Sequence, residues 1–402
     1  PGGMGPFEVV LLSLLPTLPV EALAAAILAY RLVYFAAPAV AAGFLILIAP
    51  TVAADRPADR QPLARPQGPV PPSAPFRAES LLFRQGTFDL MADRRGRAAW
   101  LTARTGNCAV ALFDPMAGPS ATSQLLPNFS RQCREEEAFA CLYKIGRRTA
   151  VMARQAGWHL LPISEECWLA PASFTTDIPA RSGLRRKLRK AREADITITA
   201  HRPFNADGTV PWGDLQRIDR QWCEIHGGNK GFSMGRFAPD YLAAQQLFIA
   251  WVSGRPVAFV SFHATQMEWT LDLVRQGDAA LDGTMQSLIA HAVEVARGAQ
   301  VPRLSLAAVT LPSFGLGGLA GRVAEHLARR QGTAGLRQFK ASFAPRRSRL
   351  YLAAPTRLAL TLGAFEIWRA IHNPPPLPPS STKPLPAWGD GKRTYESHSY
   401  PT

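Results

Sequence analysis

Asp272 and Arg275, three residues apart in the stretch WTLDLVR (269–275), are the side chains best placed to do chemistry. A carboxylate inside a run that otherwise reads as buried strand is costly unless it meets a cation. The ammonium of a bound ligand would serve, and so would Arg275 or another base in a purely structural ion pair. In extended backbone, residues three apart face opposite sides of a sheet. Both side chains can therefore enter one site only across a bulge or at a strand end. Just downstream, Gly283 and Thr284 open a predicted helix whose free backbone N–H groups can receive a phosphate. A plain cap by Asp282 or Thr284 is the alternative. Upstream, KGFSMGRF (230–237) sets Lys230 and Arg236 beside Phe232 and Phe237 in a glycine-hinged loop, suited to lining the entrance of an anionic site or to packing as a turn. His226 and His263 have no evident orienting partner and read as structural.

A second concentration of function lies at RSGLRRKLRKAR (181–192), with seven positive charges and no negative one. Leu184, Leu188 and Ala191 fall at i, i+4 and i+7, so an apolar stripe runs along the predicted helix. Arg185, Arg189 and Arg192 form a basic row beside it, flanked by Arg186 and Lys190. With no acid in the neighbouring turns, these charges repel by roughly a few tenths of a kcal/mol per close pair, which an anionic partner would offset. The alternative is a solvated surface helix. The net charge of +15 over 402 residues argues for a negatively charged partner, nucleic acid or an anionic lipid surface. Five cysteines, irregularly spaced and without a CxxC pair, support neither a disulfide framework nor a zinc site, and a reducing compartment is their simplest home.

The elements that must position these residues follow from composition and periodicity. Leu32 to Pro50 is a run of 19 uncharged residues, close to the roughly 20 a spanning helix needs, and uncharged stretches at 9–20 and 22–30 precede it. Residues 1–50 thus read as the last transmembrane helices of a larger membrane domain. Arg56, Arg60, Arg65 and Arg77 then place the following body in the cytoplasm. A proline- and alanine-rich linker spans 51–78, and a proline-rich tail spans 373–402. Between them, strands are predicted at 98–103, 109–113, 149–153, 196–199, 247–252, 256–265, 268–274 and 303–308. Helices are predicted at 133–145, 184–193, 212–226, 239–246, 284–297 and 322–330. Mixed order with an antiparallel centre at 247–275 gives an α/β (α+β) class with two lobes, 79–180 and 196–355, joined by the basic helix (181–195) and followed by a terminal helix at 356–372.

Several segments together resemble the lysylphosphatidylglycerol synthases, the bifunctional flippase-transferases of the MprF type. PGGMGPFE (1–8) is similar to the family's PGG-x-G-x-x-E segment, and AYRLVYF follows around Tyr30. DPMAG (114–118) is similar to GDPxG, KGFSMGRF to KGFSLGRF, LDLVR (271–275) to the DLMR strand, DGTM (282–285) to NGTMD, and GLRQFK (335–340) with Phe343 and Pro345 to GLRxFKxKFxP. The resemblance runs from Pro1 to about Ala353. It implies two tandem acetyltransferase-like (GNAT) lobes behind flippase helices in a bacterial inner membrane, with the catalytic part in the cytoplasm. The implied reaction moves an aminoacyl group, most commonly lysyl, from aminoacyl-tRNA to the glycerol hydroxyl of phosphatidylglycerol. That lowers the membrane's negative charge and aids resistance to cationic antimicrobial peptides.

The resemblance implies no cofactor or metal, aminoacyl-tRNA being the co-substrate; it leaves oligomeric state and amino-acid choice open. It implies that Asp272, Arg275 and Lys340 are catalytic, with Asp272 on the aminoacyl ammonium, Arg275 on a phosphate and Lys340 at the tRNA terminus or oxyanion. Lys230, Phe232, Arg236, Gly283, Thr284 and Arg337 would contact substrate, and Arg185, Arg186, Arg189 and Lys190 the tRNA or lipid phosphates. Departures from the pattern lie at Gln331–Ala334, at Leu304–Val309 and at Arg346–Arg347, where the family carries a tryptophan. They fit an altered amino-acid choice or a lipid-modifying relative that does not use tRNA. Two rival functions are a CoA-dependent acyltransferase, although no Q/RxxGxG/A loop precedes Thr284, and a non-catalytic membrane tether.

Overall fold

The computed structural model describes residues 77–92, 98–117, 119–203, 210–311 and 333–377, with Pro19, Ala25, Ala26, Ala29, Tyr30 and Val33 as isolated positions before them. The chain divides into two units, Pro1–Arg60 and Gln61–Thr402. In the first, the described alanines and Tyr30 are helical. Among the described residues no helix is long and apolar enough to cross a membrane. The membrane helices expected within 1–50 fall almost wholly outside the described residues, as do most of the linker, the helix expected at 322–330 and the tail beyond 377.

The second unit is built on an 11-stranded sheet. Its strands are β1 (Asp89–Ala92), β2 (Ala98–Thr105), β3 (Cys108–Ala117), β4 (Phe139–Ile145), β5 (His159–Leu169), β6 (Thr197–His201), β7 (Gln246–Val252), β8 (Arg255–Ala264), β9 (Glu268–Gln276), β10 (Arg303–Thr310) and β11 (Arg346–Ala354). The helices are α1 (Pro119–Glu135), α2 (Arg147–Gln155), α3 (Ser182–Glu193), α4 (Trp212–Ile225), α5 (Pro239–Ala243), α6 (Thr284–Gly298), α7 (Thr333–Ala341) and α8 (Arg357–His372), preceded by a 3-10 helix at Ala78–Gln85.

The same plan occurs twice. The antiparallel strands β2 and β3 lead through α1 to β4, parallel to β3; the antiparallel strands β7, β8 and β9 lead through α6 to β10, parallel to β9. The spatial order β1-β2-β3-β4-β11-β5-β10-β9-β8-β7-β6 then exchanges the closing strands. β11, last in the chain, sits between β4 and β5, and β5 from the first half pairs with β10 of the second. Neither half completes its sheet without the other, so the two lobes form one mixed α/β body.

Packing explains the helices. In α6, Leu288, Ile289, Ala292, Val293 and Ala296 are fully buried and recur at helical spacing, presenting one apolar stripe to Ala258, Val260 and Phe262 of β8. Phe259, pointing the other way, joins Leu215 and Ile218 of α4. Covered on both faces, β8 is buried without a break from Pro256 to His263, which is why it reads as a continuous apolar run.

Three of the expected elements take another type or extent. The helix expected over 133–145 is the end of α1 followed by a turn at Glu136–Glu137 and then β4, whose Ala140, Cys141 and Leu142 are all buried. The strand expected at 149–153 is the middle of α2, where Thr149, Ala150 and Ala153 lie on one buried helical face despite two β-branched residues. The helix expected over 239–246 stops at Ala243, because Gln246 already belongs to β7.

Candidate active site

Two irregularities in the sheet open the site. The register of β8 against β9 slips between Val260↔Val274 and Phe262↔Leu271, so Ser261 opposes both Asp272 and Leu273. This is the bulge that the spacing of Asp272 and Arg275 demanded. The parallel pairing of β9 with β10 then ends at Thr270↔Ser305, and β10 bulges at Ala307, whose φ is 60°. Past that point the two strands part, with Asp272 on one side of the opening and the Ala307 and Ala308 carbonyls on the other.

Asp272 is held by neutral donors. Its Oδ1 accepts from the Gly235 backbone N–H at 3.0 Å, and its Oδ2 accepts from the Tyr241 hydroxyl at 2.6 Å and the Gln245 amide at 3.0 Å. Gly235 is required by space: a Cβ there would stand 2.2 Å from the carboxylate. Burial, reinforced by the Asp272 charge, pushes the Tyr241 hydroxyl well above its usual range, so it stays a donor. His263 Nε2 lies 3.1 Å from the Tyr241 oxygen and 3.5 Å from Asp272. Burial lowers the imidazole's pKa despite the Asp272 charge, so this histidine is neutral near pH 7 and the contact is not an ion pair. With the tyrosine proton given to Asp272, the histidine N–H at Nε2 donates to the tyrosine oxygen.

On the opposite side, Lys340 projects from α7 and is 4% exposed. Its ammonium donates to the Ala308 and Ala307 carbonyls at 3.1 and 3.3 Å and forms no ion pair among the described residues. Burial pushes its pKa down to about 8.

Beneath the opening lies a network of three carboxylates and three cations. Arg77 pairs with Glu166 and lies 3.6 Å from both Glu79 and Glu268; Arg303 reaches Glu166 at 2.6 Å and Glu268 at 2.9 Å; Lys144 reaches Glu79 at 3.1 Å. The Ser305 hydroxyl adds a 2.6 Å bond to Glu166. Burial alone would raise Glu166, but Arg77 and Arg303 outweigh it and hold its pKa low. For Glu268 burial wins and the pKa rises.

The remaining predicted residues lie elsewhere. Arg275 shares a sheet face with Asp272 but is engaged with Asp219 at 2.5 Å and stacked 4.0 Å over Trp222, both on α4. Gly283 and Thr284 do open α6, yet α3 covers that end: a Cβ on Gly283 would meet the Lys187 carbonyl at 2.3 Å, and the Thr284 hydroxyl donates to Leu281 at 2.7 Å. Phe232 packs against Phe88 and Tyr143. Arg236 is buried and donates to the Pro375 carbonyl at 2.6 Å, while its backbone N–H donates to Gln85. Lys230 is half-buried and has no ion pair among the described residues. Arg337 donates to the Thr310 carbonyl at 2.8 Å.

On α3, compensating acids come from outside the neighbouring turns the sequence reading considered, or from the last turn. Asp282 pairs with Lys187 and lies 3.4 Å from Lys190, and Glu193 lies 3.6 Å from Arg189. Arg185 donates to the Thr176 and Ile178 carbonyls. Arg186 remains exposed and without an ion pair among the described residues.

With this geometry in place, comparison with known proteins identifies the scaffold. The family model described as phosphatidylglycerol lysyltransferase, C-terminal, matches residues 78–354. The chain belongs to that family. Among curated relatives, the bifunctional lysylphosphatidylglycerol biosynthesis protein LysX of Mycobacterium ulcerans is 27% identical over 224 residues, covering 52% of this chain and 19% of the relative. The phosphatidylglycerol lysyltransferase of Staphylococcus haemolyticus is 24% identical over 306 residues, covering 73% of this chain and 36% of the relative. The chain therefore spans about a fifth to a third of these proteins' length. Two solved structures share the fold. One is the C-terminal domain of a putative lysylphosphatidylglycerol synthetase from Agrobacterium fabrum, at TM-score 0.66 and 24% identity over 74% of this chain and 93% of that one. The other is L-PGS from Bacillus licheniformis, at 0.64 and 22% over 73% and 92%.

Sequence reasoning missed Tyr241, Gln245 and the Gly235 N–H as partners of Asp272, and it set His263 aside. It also missed the central network. Its signal was present in Glu166 and Glu268, acids embedded in the apolar strands ISEECWL and EWTLDL.

Proposed function

We propose that the chain carries the transferase step of its family: transfer of an aminoacyl group from aminoacyl-tRNA to a glycerol hydroxyl of phosphatidylglycerol at the cytoplasmic face of the membrane. The observation that carries this reading is Asp272, whose side chain is 6% exposed and whose near partners among the described residues are all neutral. Such a carboxylate is an incomplete ion pair, and the α-ammonium of an aminoacyl group would complete it.

An aminoacyl ester is already activated, so catalysis needs placement and charge stabilisation rather than a covalent nucleophile. The lipid hydroxyl attacks the ester carbonyl, a new ester bond forms, and the bond to the tRNA 3′ oxygen breaks. The hydroxyl's proton ends on that departing oxygen. Lys340, across the opening from Asp272, is suited as an ammonium to stabilise the oxyanion, to hand a proton to the leaving oxygen and to regain the one that the attacking hydroxyl releases. Its burial keeps that proton labile near neutrality.

A CoA-dependent reaction is disfavoured because the N-terminus of α6, where a pyrophosphate would sit, is covered by the α3 backbone. The deciding experiment incubates the chain with phosphatidylglycerol vesicles and charged tRNA and follows aminoacyl-lipid by mass spectrometry. Product is expected only while the RNA is intact, and Asp272→Asn abolishes it. Product formation after ribonuclease treatment, or from an acyl-CoA, would refute the reading.

A further inference from the structure

A cavity of about 1170 Å³ opens between α2, β5, β10 and β11. Six arginines line it: Arg77, Arg147, Arg148, Arg303, Arg347 and Arg349. Its two acids, Glu166 and Asp114, are already committed. Glu166 is held by Arg77, Arg303 and Ser305, while Asp114 Oδ1 accepts from the Gly146 N–H at 2.8 Å and the Thr149 hydroxyl at 2.5 Å, capping α2. Arg147 and Arg148 are the first residues of α2, and Arg347 and Arg349 alternate along β11, so one face of that strand looks toward the start of that helix. Arg147, Arg148 and Arg349 form no hydrogen bond or ion pair among the described residues, and Arg347 has only a 3.4 Å contact to the part-exposed Glu165. Unmatched guanidinium groups gathered in a concave wall focus a positive potential that concentrates an anion.

We infer that this cavity grips the phosphodiester backbone of the donor's single-stranded 3′ end. This rests on aminoacyl-tRNA being the donor. A phospholipid headgroup brings one phosphate, whereas three to four unmatched guanidiniums suit successive phosphates on one strand. The position agrees: Ser305, which binds Glu166 on the cavity wall, is two residues along β10 from Ala307, whose carbonyl receives Lys340. Two strand residues span about 7 Å. A strand seated in the cavity thus ends within reach of the opening that holds Asp272 and Lys340. Trp168, on the same wall, packs against the guanidiniums of Arg303 and Arg346 at 5.0 and 5.1 Å.

The test is the triple variant Arg147→Glu, Arg148→Glu, Arg349→Glu, made in the full chain. All three side chains are exposed, so thermal unfolding should match the unaltered chain. Binding of uncharged tRNA is measured by fluorescence anisotropy from low to physiological salt. The slope of log affinity against log salt is expected to flatten by about 2, at about 0.7 per phosphate contact on a single strand. The KM for aminoacyl-tRNA should rise at least tenfold, while sedimentation with phosphatidylglycerol vesicles stays unchanged. An unaltered salt slope and KM would overturn the assignment while leaving aminoacyl transfer standing. Lost vesicle binding with tRNA binding intact would overturn it in favour of the lipid. If the unaltered chain makes aminoacyl-lipid after ribonuclease treatment, the donor reading falls and this one with it.

Discussion

Replacing Lys340 with methionine separates what this residue does for the site from what it costs the fold. Burial takes its pKa from 10.5 to about 8, a difference of about 3 kcal/mol in favour of the neutral form. Below pH 8 the lysine is charged in both folded and unfolded chains, and the fold bears the full cost of the buried ammonium. Between pH 8 and 10.5 the unfolded chain binds the proton that the folded chain has released, so stability rises with pH. Above 10.5 both forms are neutral and the cost is gone. Lys340→Met lacks this titration. Its stability at pH 7 reflects a near balance between the relieved charge and the two carbonyls, Ala307 and Ala308, that lose their donor. The difference between the two proteins is nonetheless required to move, by about 2.5 kcal/mol in favour of the unaltered chain from pH 7 to pH 10. Urea unfolding at pH 7, 8, 9 and 10 measures it, and parallel curves would refute the reasoning. In the unaltered enzyme, initial rates of aminoacyl-lipid formation should fall as pH rises through about 8, because the ammonium is the form proposed to act.

Three further perturbations follow from the same contacts. Gly235→Ala places a methyl group 2.2 Å from the Asp272 carboxylate; it should reduce transfer more than tenfold while lowering the unfolding midpoint only modestly, and equal activity in the two proteins would contradict the crowding. Tyr241→Phe removes the 2.6 Å bond to Asp272 and should cost about 1.5–3 kcal/mol of stability, since the acceptor is charged; urea titration reads this directly, and a cost below half a kcal/mol would count against it. Gly363→Ala drives a Cβ to 2.1 Å from Cys141 Sγ and should destabilise by about 1–3 kcal/mol. The double variant with Cys141→Ala should recover most of that loss, and an additive double variant would show that the clash is not the cause.

The second half of the sheet was legible because its strands carry unbroken apolar runs such as PVAFVSF (256–262), whose burial on both faces leaves no competing pattern. β5 was not. Its sequence HLLPISEECWL interrupts an apolar run with a proline and two glutamates, and Glu166 makes sense only once Arg77, 89 residues earlier, and Arg303, 137 residues later, are seen beside it. β11 begins with Arg346, Arg347 and Arg349, which read as a basic turn until its position between β4 and β5 is known. Both are the exchanged strands, whose neighbours are set by contacts across the whole chain and leave no local trace. The same holds for the site. Asp272 stood out by type and by resemblance, Lys340 by resemblance alone. Two of the partners of Asp272, Tyr241 and Gln245, lie in an ordinary segment, PDYLAAQQ, that nothing marked as functional.

The fate of Arg275 sharpens the meaning of Asp272. Had the two formed an ion pair across the bulge, the carboxylate would be neutralised within the protein and would have little left to offer a ligand. Instead Asp219 takes Arg275, Trp222 covers its guanidinium, and the central network balances three acids against three bases. Those cations are thereby engaged, whereas Lys340 is held by carbonyls and easily loses its proton. What remains across the opening is a carboxylate with neutral donors facing an amine with neutral acceptors. Two charges left incomplete on opposite sides of a gap lower the stability of the empty protein, and such an arrangement suits a ligand that brings an ammonium for one and a developing oxyanion for the other. An aminoacyl ester carries both, separated by two carbon atoms.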